Sequence, residues 1–327
     1  MVPRSCVVFE QPEHDMKVEV LCVSDCLTRA FTAAQTCRMT NHQLTAAILL
    51  LFFRSAIGAA QTARTDTGFT SPIEVSSGGA TLRATMHVAA GNRPRPTIVS
   101  IKGFPGNNSQ DFPKFMQSKG FNAVAMNLRG QLESDGQYTV GGSPSDVAAL
   151  VTYLREDQVR SKFGIDPDRI IVVGTSAGSF AALGAAAGDA RIKCVALIVP
   201  FNWMLAGISA RSDAGRQSLE AAAQRIRQQS LPPVRLSDNF VPTLIDSAEA
   251  FDLRKVTSGL TWHSILMVGA KNDATAPLSA HFEPVVSSLR DARAAVRDTI
   301  VDDSHNLPAS LPAVFDLFAR WAFECAR

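Results

Sequence analysis

Gly174-Thr175-Ser176-Ala177-Gly178 stands between an apolar run that predicts a strand at residues 169–173 and an alanine-rich run that predicts a helix at residues 177–187. A tight turn from strand to helix leaves almost no room for side chains two residues before and two residues after its central serine, and Gly174 and Gly178 meet that requirement. Such a turn raises the serine hydroxyl clear of the sheet. The pentapeptide alone is also compatible with an ordinary glycine-rich turn of a parallel sheet, so other parts of the chain have to distinguish the two interpretations.

Strand and helix patterns alternate along most of the remaining chain. A hairpin is predicted first, with strands at residues 73–76 and 81–88 joined by a glycine-rich turn. Further strands are predicted at residues 97–101, 121–126, 170–173, 192–199, 264–268 and 295–301, and helices at residues 109–119, 145–154, 177–187, 279–292 and 311–323. This alternation predicts an α/β fold with a doubly wound, mostly parallel sheet. The polar, helix-rich residues 201–260 interrupt it and predict a lid inserted over the site.

Composition narrows the class of partner. The 327 residues carry a formal net charge of only +2, and no basic run with interleaved aromatic residues is present, so we expect a small-molecule substrate and no nucleic acid. Cys22 and Cys26 form a single pair without a second pair or a histidine cluster, and we therefore predict no metal and no cofactor. Whether Cys194 and Cys325 pair is left open by the sequence.

The amino-terminal segment predicts export. Residues 44–53 are apolar but too short to span a bilayer, and the small residues 56–60 follow, a pattern typical of a secretory signal cleaved near Ala60. This interpretation divides the chain into an upstream extension at residues 1–38, a signal-like segment at 39–64 and a main domain at 65–327 with its lid. An amphipathic helix in a cytoplasmic protein is the alternative, because residues 39–43 contain no lysine or arginine and Arg54 follows the apolar run directly.

A serine nucleophile needs a histidine to take its proton, and His305 is the best placed of the six histidines. Chemistry in open α/β sheets gathers at the carboxyl ends of the strands, and only His305 follows such an end. The other five histidines lie elsewhere. His14 is in the upstream segment and His42 is beside the apolar run. His87 is within a predicted strand, His263 is at the amino end of one, and His281 is on a predicted helix. We therefore predict His305 as the general base.

The histidine in turn needs a carboxylate that fixes its tautomer, and Asp273 is the best candidate. It comes just after the strand predicted at residues 264–268, again at the carboxyl end. Its alternative role is to cap the following helix. Asp302 and Asp303 are rivals, but each would have to fold back within the loop that holds His305.

Two backbone N–H groups are expected to stabilise the developing oxyanion. One belongs to Ala177, directly after the predicted nucleophile. The second belongs to Phe104, in a loop at residues 102–107 whose glycines let the backbone approach the substrate. A plain connecting loop is the alternative interpretation of that segment.

With these residues in place, the chain resembles an α/β-hydrolase over residues 73–325, and it is most similar to bacterial hydrolases of the dienelactone-hydrolase and prolyl-oligopeptidase-like group. The motifs that carry the resemblance are Lys-Gly-Phe-Pro-Gly-Asn at residues 102–107, Asn-Leu-Arg-Gly at 127–130, Gly-Thr-Ser-Ala-Gly-Ser at 174–179, Asp273 and Ser-His at 304–305. The chain departs from that group at Lys102, where histidine is usual, and at residues 175–179, where His-Ser-Met-Gly-Gly is commoner.

The resemblance implies a serine hydrolase with Ser176 as nucleophile, Asp273 as orienting acid, His305 as base, and Phe104 and Ala177 as oxyanion donors. The chain order serine, aspartate, histidine is that of α/β-hydrolases. We expect cleavage of a small or medium carboxylic ester through an acyl-enzyme. A serine peptidase is the nearest alternative. Oligopeptidases of the group carry a large amino-terminal gating domain, however, and the dozen or so residues expected between a cleaved signal and the first strand leave no room for one. A catalytically silent binding protein on the same fold is the second alternative. The sequence names neither the acyl nor the alcohol group, nor the oligomeric state.

Overall fold

The apolar runs of the sequence form the strands of one mixed sheet. The computed structural model describes residues 67–107, 109–228 and 234–327, so the predicted extension at residues 1–38 and the signal-like segment at 39–64 lie outside the described residues. The strands are β1 Phe69–Ser77, β2 Ala80–Val88, β3 Arg95–Ile101, β4 Asn122–Met126, β5 Ile165–Thr175, β6 Cys194–Ile198, β7 Ser264–Ala270 and β8 Ala295–Val301. They lie in the order β1-β2-β4-β3-β5-β6-β7-β8.

The sheet is mostly parallel, as predicted. β1 and β2 form the expected antiparallel hairpin, β2 pairs antiparallel with β4, and every later neighbour is parallel. Strands β4 and β6 are buried along their whole length, which explains why they were visible as continuous apolar runs in the sequence. The doubly wound α/β fold is confirmed.

Helices cover both faces of the sheet. The main helices are α1 Asp111–Ser118, α2 Ser143–Leu154, α3 Asp157–Phe163, α4 Gly178–Gly188, α5 Trp203–Ser209, α6 Asp213–Gln228, α7 Phe240–Asp246, α8 Leu253–Val256, α9 Glu283–Asp291 and α10 Leu311–Cys325. α1 and α10 contribute Met116 and Phe318 to one apolar core, whereas α2 and α4 contribute Leu150 and Leu183 to the other. Over the described part of the chain, no helix is both long and apolar enough to cross a membrane.

Two elements differ from the sequence-based expectation. β5 begins at Ile165, before the start predicted at residues 169–170. The polar stretch Asp166-Pro167-Asp168 has the composition of a turn, so the sequence pattern did not indicate the first part of the strand, where Arg95 pairs with Ile165. The helix predicted at residues 279–292 opens as a π-helical turn, Leu278–Phe282, before α9. Neither difference moves the carboxyl ends of the strands.

A disulfide joins Cys194 at the start of β6 to Cys325 at the end of α10, 131 positions apart, with a Cα–Cα distance of 6.1 Å. That separation is within the usual range for a bridged pair. The bridge ties the end of the last helix to the start of β6.

Candidate active site

Ser176 occupies the turn between β5 and α4 with φ of +52°. A left-handed conformation at a residue other than glycine stores strain, and three backbone hydrogen bonds, one of them from the Ser179 N–H to the Ser176 carbonyl at 3.0 Å, hold it here. The Ser176 N–H donates to the Ile198 carbonyl at 2.8 Å, and the Phe201 N–H donates to the Ser176 carbonyl at 3.1 Å. A Cβ on Gly174 would lie 2.5 Å from the Gly178 carbonyl oxygen, so the turn closes only around a residue without a side chain.

The structure brings His305 into contact with both of its predicted partners. His305 Nε2 lies 2.8 Å from Ser176 Oγ, and His305 Nδ1 lies 2.6 Å from Asp273 Oδ2. An ionised carboxylate only accepts hydrogen bonds, so Nδ1 carries the proton and Nε2 accepts from the serine hydroxyl. The Asp273 side chain is 1% exposed and that of His305 is 16% exposed, which leaves the imidazole the more accessible of the two.

Asp273 uses both oxygens of its carboxylate, but it does not cap the following helical turn, whose N-cap is Pro277. Its Oδ1 atom accepts from the N–H groups of Thr275 and Ala276 at 2.9 and 2.7 Å, whereas its Oδ2 atom faces His305. The backbone contacts therefore fix the carboxylate in the orientation that the imidazole needs.

The two rival carboxylates face other partners. Asp302 accepts from the side-chain amide of Asn272 at 2.9 Å, and Asp303 accepts from the N–H groups of Ala309 and Ser310 before α10. No hydrogen bond joins either of them to the imidazole of His305, so among the described residues Asp273 is the carboxylate that is hydrogen-bonded to it.

The two residues predicted to supply the oxyanion N–H groups lie next to Ser176 or line the same pocket: Ala177 follows it directly in the chain, and Phe104 lines the pocket with it. Gly103, which precedes Phe104, packs so closely on the serine that an added Cβ would lie 3.0 Å from Ser176 Cβ. Within the described residues, no hydrogen-bond acceptor is assigned to the N–H of Phe104 or of Ala177. Two unpaired donors beside a serine hydroxyl suit a developing oxyanion.

Lys102 begins the same loop, and its ammonium group binds backbone carbonyls at the other end of that loop. Nζ donates to the Asn107 carbonyl at 2.6 Å and to the Ser109 carbonyl. Burial lowers the pKa of Lys102 to about 8, while the nearby Asp111 carboxylate opposes that shift. The ammonium is thus mainly charged at neutral pH and loses its proton in mildly alkaline solution.

The pH dependence of activity is expected to report Lys102. If its charge helps to stabilise the oxyanion, kcat should fall above pH about 8, by roughly threefold to tenfold, because the neutral amine gives less electrostatic stabilisation. The variant Lys102→Met should have a lower rate at pH 7 and no descending limb near pH 8. Measurement of kcat from pH 6 to 10 for both proteins checks this, and parallel profiles would contradict it.

A pocket of about 380 Å³ opens beside Ser176 and His305. It lies between the loop at residues 102–107 and the loop of His305, and its far wall comes from α1 and α10. Of the described residues that line it, none belongs to the insertion at residues 201–260. Within residues 67–107, 109–228 and 234–327, no three His, Cys, Asp or Glu side chains are grouped as ligands of a metal ion would be.

The insertion reaches the site by another route, through the side chain of Phe104. The Phe104 ring lies 5.5 Å from the ring of Trp203 and 6.0 Å from that of Phe240, both in the insertion, and 4.8 Å from that of Tyr138. Sequence reasoning missed this cluster because its members are far apart in the chain. The insertion therefore packs on the predicted oxyanion loop rather than on the pocket.

A second histidine supports the base of the insertion. His281 Nδ1 accepts from the Asn202 N–H at 2.9 Å, and its ring lies 4.8 Å from the Phe201 ring. Burial lowers the pKa of His281, with Asp273 opposing and His305 adding to the shift, so the ring stays neutral. Asn202 caps α5 through its Oδ1 atom, a role that an asparagine directly before a helical segment could have signalled in the sequence.

The sheet order and the serine turn define an α/β hydrolase, and known structures agree. An α/β hydrolase of a Penicillium species has a TM-score of 0.60 at 15% identity, over 79% of this chain and 99% of that one. An esterase of Pyrococcus furiosus has a TM-score of 0.60 at 16% identity, over 79% and 92%. Esterases of Rhizomucor miehei give 0.59 at 16% identity, over 91% and 96%. These identities show a shared fold.

The family follows from the sequence model that matches. Residues 59–239, more than half of the chain, match the model of the X-Pro dipeptidyl-peptidase (S15) family, and the chain belongs to that family. It is also 30% identical over 117 residues to an uncharacterized 31.7 kDa protein of the traX-finO intergenic region of Escherichia coli. That match covers 34% of this chain and 39% of the relative's length. The predicted superfamily is confirmed.

Proposed function

We propose that this protein is a serine hydrolase that cleaves a carboxylic ester of small or medium size through an acyl-enzyme. The observation that carries the proposal is the continuous hydrogen-bonded series from Ser176 Oγ through the His305 ring to Asp273 Oδ2. The strained turn at Ser176 and the unpaired N–H groups beside it support the same chemistry.

The geometry supports a two-step reaction. Ser176 Oγ attacks the ester carbonyl while His305 Nε2 takes its proton, and the N–H groups of Phe104 and Ala177 stabilise the oxyanion. Asp273 stabilises the imidazolium, which then protonates the departing alcohol. Water, activated by His305 in turn, attacks the acyl-enzyme and releases the acid.

Covalent labelling tests the nucleophile directly. A fluorophosphonate should modify the protein once, on the peptide that contains Ser176, because only a serine hydroxyl activated by a base reacts readily. The variant Ser118→Ala, which changes an exposed serine on α1, should be labelled like the wild type. A folded protein that stays unlabelled would exclude a serine hydrolase and favour a catalytically silent binding protein.

Peptide cleavage is the second candidate, and family membership is the observation that favours it. The same three side chains can attack an amide. The pocket, however, places the Lys102 ammonium near the site, and its one carboxylate, Asp111, already accepts a hydrogen bond from Ser109 Oγ at 2.9 Å. Such a site offers little attraction to the free amino terminus of a dipeptide. Comparing kcat/KM for a chromogenic X-Pro anilide and for a nitrophenyl ester separates the two candidates.

We also propose that the protein is exported. The signal-like residues 39–64 support this, and so does the disulfide between Cys194 and Cys325, because such bridges persist in oxidising compartments. The amino-terminal sequence of the protein recovered from the periplasm or the medium tests the proposal. Cleavage near Ala60 is expected, and a mature protein that retains Leu50 would overturn it.

The same disulfide is expected to stabilise the fold. Replacing both cysteines with serine should lower the free energy of unfolding by about 2–4 kcal/mol, because the bridge closes a long loop in the unfolded chain. Urea titration measures this, and reductant should destabilise the wild type by a similar amount without affecting the double variant. Equal stability of the two proteins without reductant would contradict the prediction.

A further inference from the structure

The walls of the pocket beside Ser176 suggest what it accommodates. Its far side is apolar and comes from α1, α10 and the loop after β8: Phe112, Leu307, Leu311, Val314, Phe315 and Phe318. At about 380 Å³ its volume is near the lower end of the range for small-molecule sites. An apolar cavity that opens at a serine hydroxyl gains most from a ligand that displaces water from its walls.

Ring contacts hold the apolar wall in shape. The Phe112 ring of α1 lies 5.0 Å from that of Phe315 and 5.1 Å from that of Phe318, both on α10, at T-shaped angles. The Phe115 ring lies 5.5 Å from Phe315. The disulfide at Cys325 ties the other end of α10 to β6. The pocket is therefore preformed and does not depend on closure of the insertion.

The ammonium of Lys102 and the carboxylate of Asp111, both at the pocket, already have partners. Lys102 Nζ donates to two backbone carbonyls, and Asp111 Oδ2 accepts from Ser109 Oγ. A polar or charged substituent would have to compete with these contacts, whereas an alkyl or aryl group would need none of them.

We propose that this pocket is the subsite for an apolar group of the ester, an unbranched alkyl chain or a single aromatic ring, and that α1 and α10 rather than the insertion determine substrate choice. The inference rests on the proposed function. The proposal assigns the choice of substrate mainly to Leu311 and Phe315, which line the apolar wall of the cavity. Each buried methylene should raise kcat/KM about fourfold until the cavity is full.

Two substrate series identify which group of the ester enters. One contains nitrophenyl esters from acetate to dodecanoate, in which the acyl group varies; the other contains alkyl acetates, in which the alcohol varies. The wild type should show a chain-length optimum in one series. If the variants change the chain-length profile of the nitrophenyl ester series, the pocket binds the acyl group; if they change that of the alkyl acetate series, it binds the alcohol.

Three variants test the location. Leu311 is 37% exposed at the start of α10, so Leu311→Trp narrows the cavity without loading the core, and it should lower the octanoate-to-acetate ratio of kcat/KM at least tenfold. Phe315→Ala enlarges the cavity and should move the optimum to longer chains. The matched control is Ile208→Trp on the insertion helix α5, where Ile208 is 40% exposed, and its chain-length profile should equal that of the wild type.

The possible results separate cleanly. A changed profile for Leu311→Trp or Phe315→Ala with an unchanged control supports the inference. Profiles unaffected by both substitutions, or a profile altered by Ile208→Trp instead, overturn it. A folded wild type that cleaves no ester and takes no fluorophosphonate label contradicts the proposed function, a different result from an active enzyme whose selectivity ignores α10.

Discussion

Replacing Ser176 with alanine is expected to lower kcat/KM for nitrophenyl acetate by about 10⁴- to 10⁶-fold, the scale of nucleophile removal in serine hydrolases. The reason is geometric, because Ser176 Oγ is the group hydrogen-bonded to His305 Nε2 at 2.8 Å. Without it, the two N–H donors still bind the carbonyl but no covalent intermediate forms. The residual rate would come from substrate binding and oxyanion stabilisation alone.

The matched control for this substitution is Ser179→Ala. Ser179 lies three residues further along the same turn, and its hydroxyl donates to the Gly174 carbonyl at 3.2 Å rather than to His305. It should retain activity within about tenfold, since only one neutral buried hydrogen bond is lost. Thermal denaturation of both variants separates misfolding from lost chemistry. Full activity of a correctly folded Ser176→Ala protein would refute the assignment of the nucleophile.

The meeting of Ser176, Asp273 and His305 was predictable because it follows from topology. His305 is 129 positions from Ser176 and 32 from Asp273, yet each comes just after a strand, and the carboxyl ends of parallel strands meet at one edge of the sheet. The glycines at the serine turn were equally predictable, since steric limits act within a few residues of chain. Their catalytic roles stay predictions that the variants test.

Other features depend on packing between distant elements and had no local signal. The bridge between Cys194 and Cys325 requires knowing that α10 ends beside the start of β6. The contact of Phe104 with Trp203 depends on how the insertion folds, and composition gives only its helical content. The expectation that residues 201–260 cover the site and select the substrate stays a prediction. Among the described residues, α1 and α10 supply much of the apolar wall of the pocket, and the insertion contacts Phe104 of the predicted oxyanion loop.

Replacing Asp273 with asparagine is expected to lower kcat about 10⁴-fold. The asparagine carbonyl can still accept from the N–H groups of Thr275 and Ala276, so the loop should keep its shape. The amide NH₂ would then face His305 Nδ1 and donate to it, which moves the ring proton to Nε2. A protonated Nε2 cannot take the proton of Ser176, and the rate falls although all three side chains remain in contact.

The controls for this substitution are the two rival carboxylates. Asp302→Asn changes a side chain bonded to Asn272, and Asp303→Asn one bonded to backbone N–H groups before α10, so neither should alter the tautomer of His305. Both should keep kcat within about tenfold, while Asp303→Asn loses some stability because a neutral amide accepts the N–H groups of Ala309 and Ser310 less strongly than a carboxylate does. Activity of Asp273→Asn near that of the wild type, or an equal loss in Asp302→Asn, would mean that another carboxylate orients the base. Since Asp302 lies exposed beside Asn272, such a result would require the loop after β8 to fold back on itself when substrate binds. The hydrogen bonds of Asp303 to Ala309 and Ser310 oppose that movement.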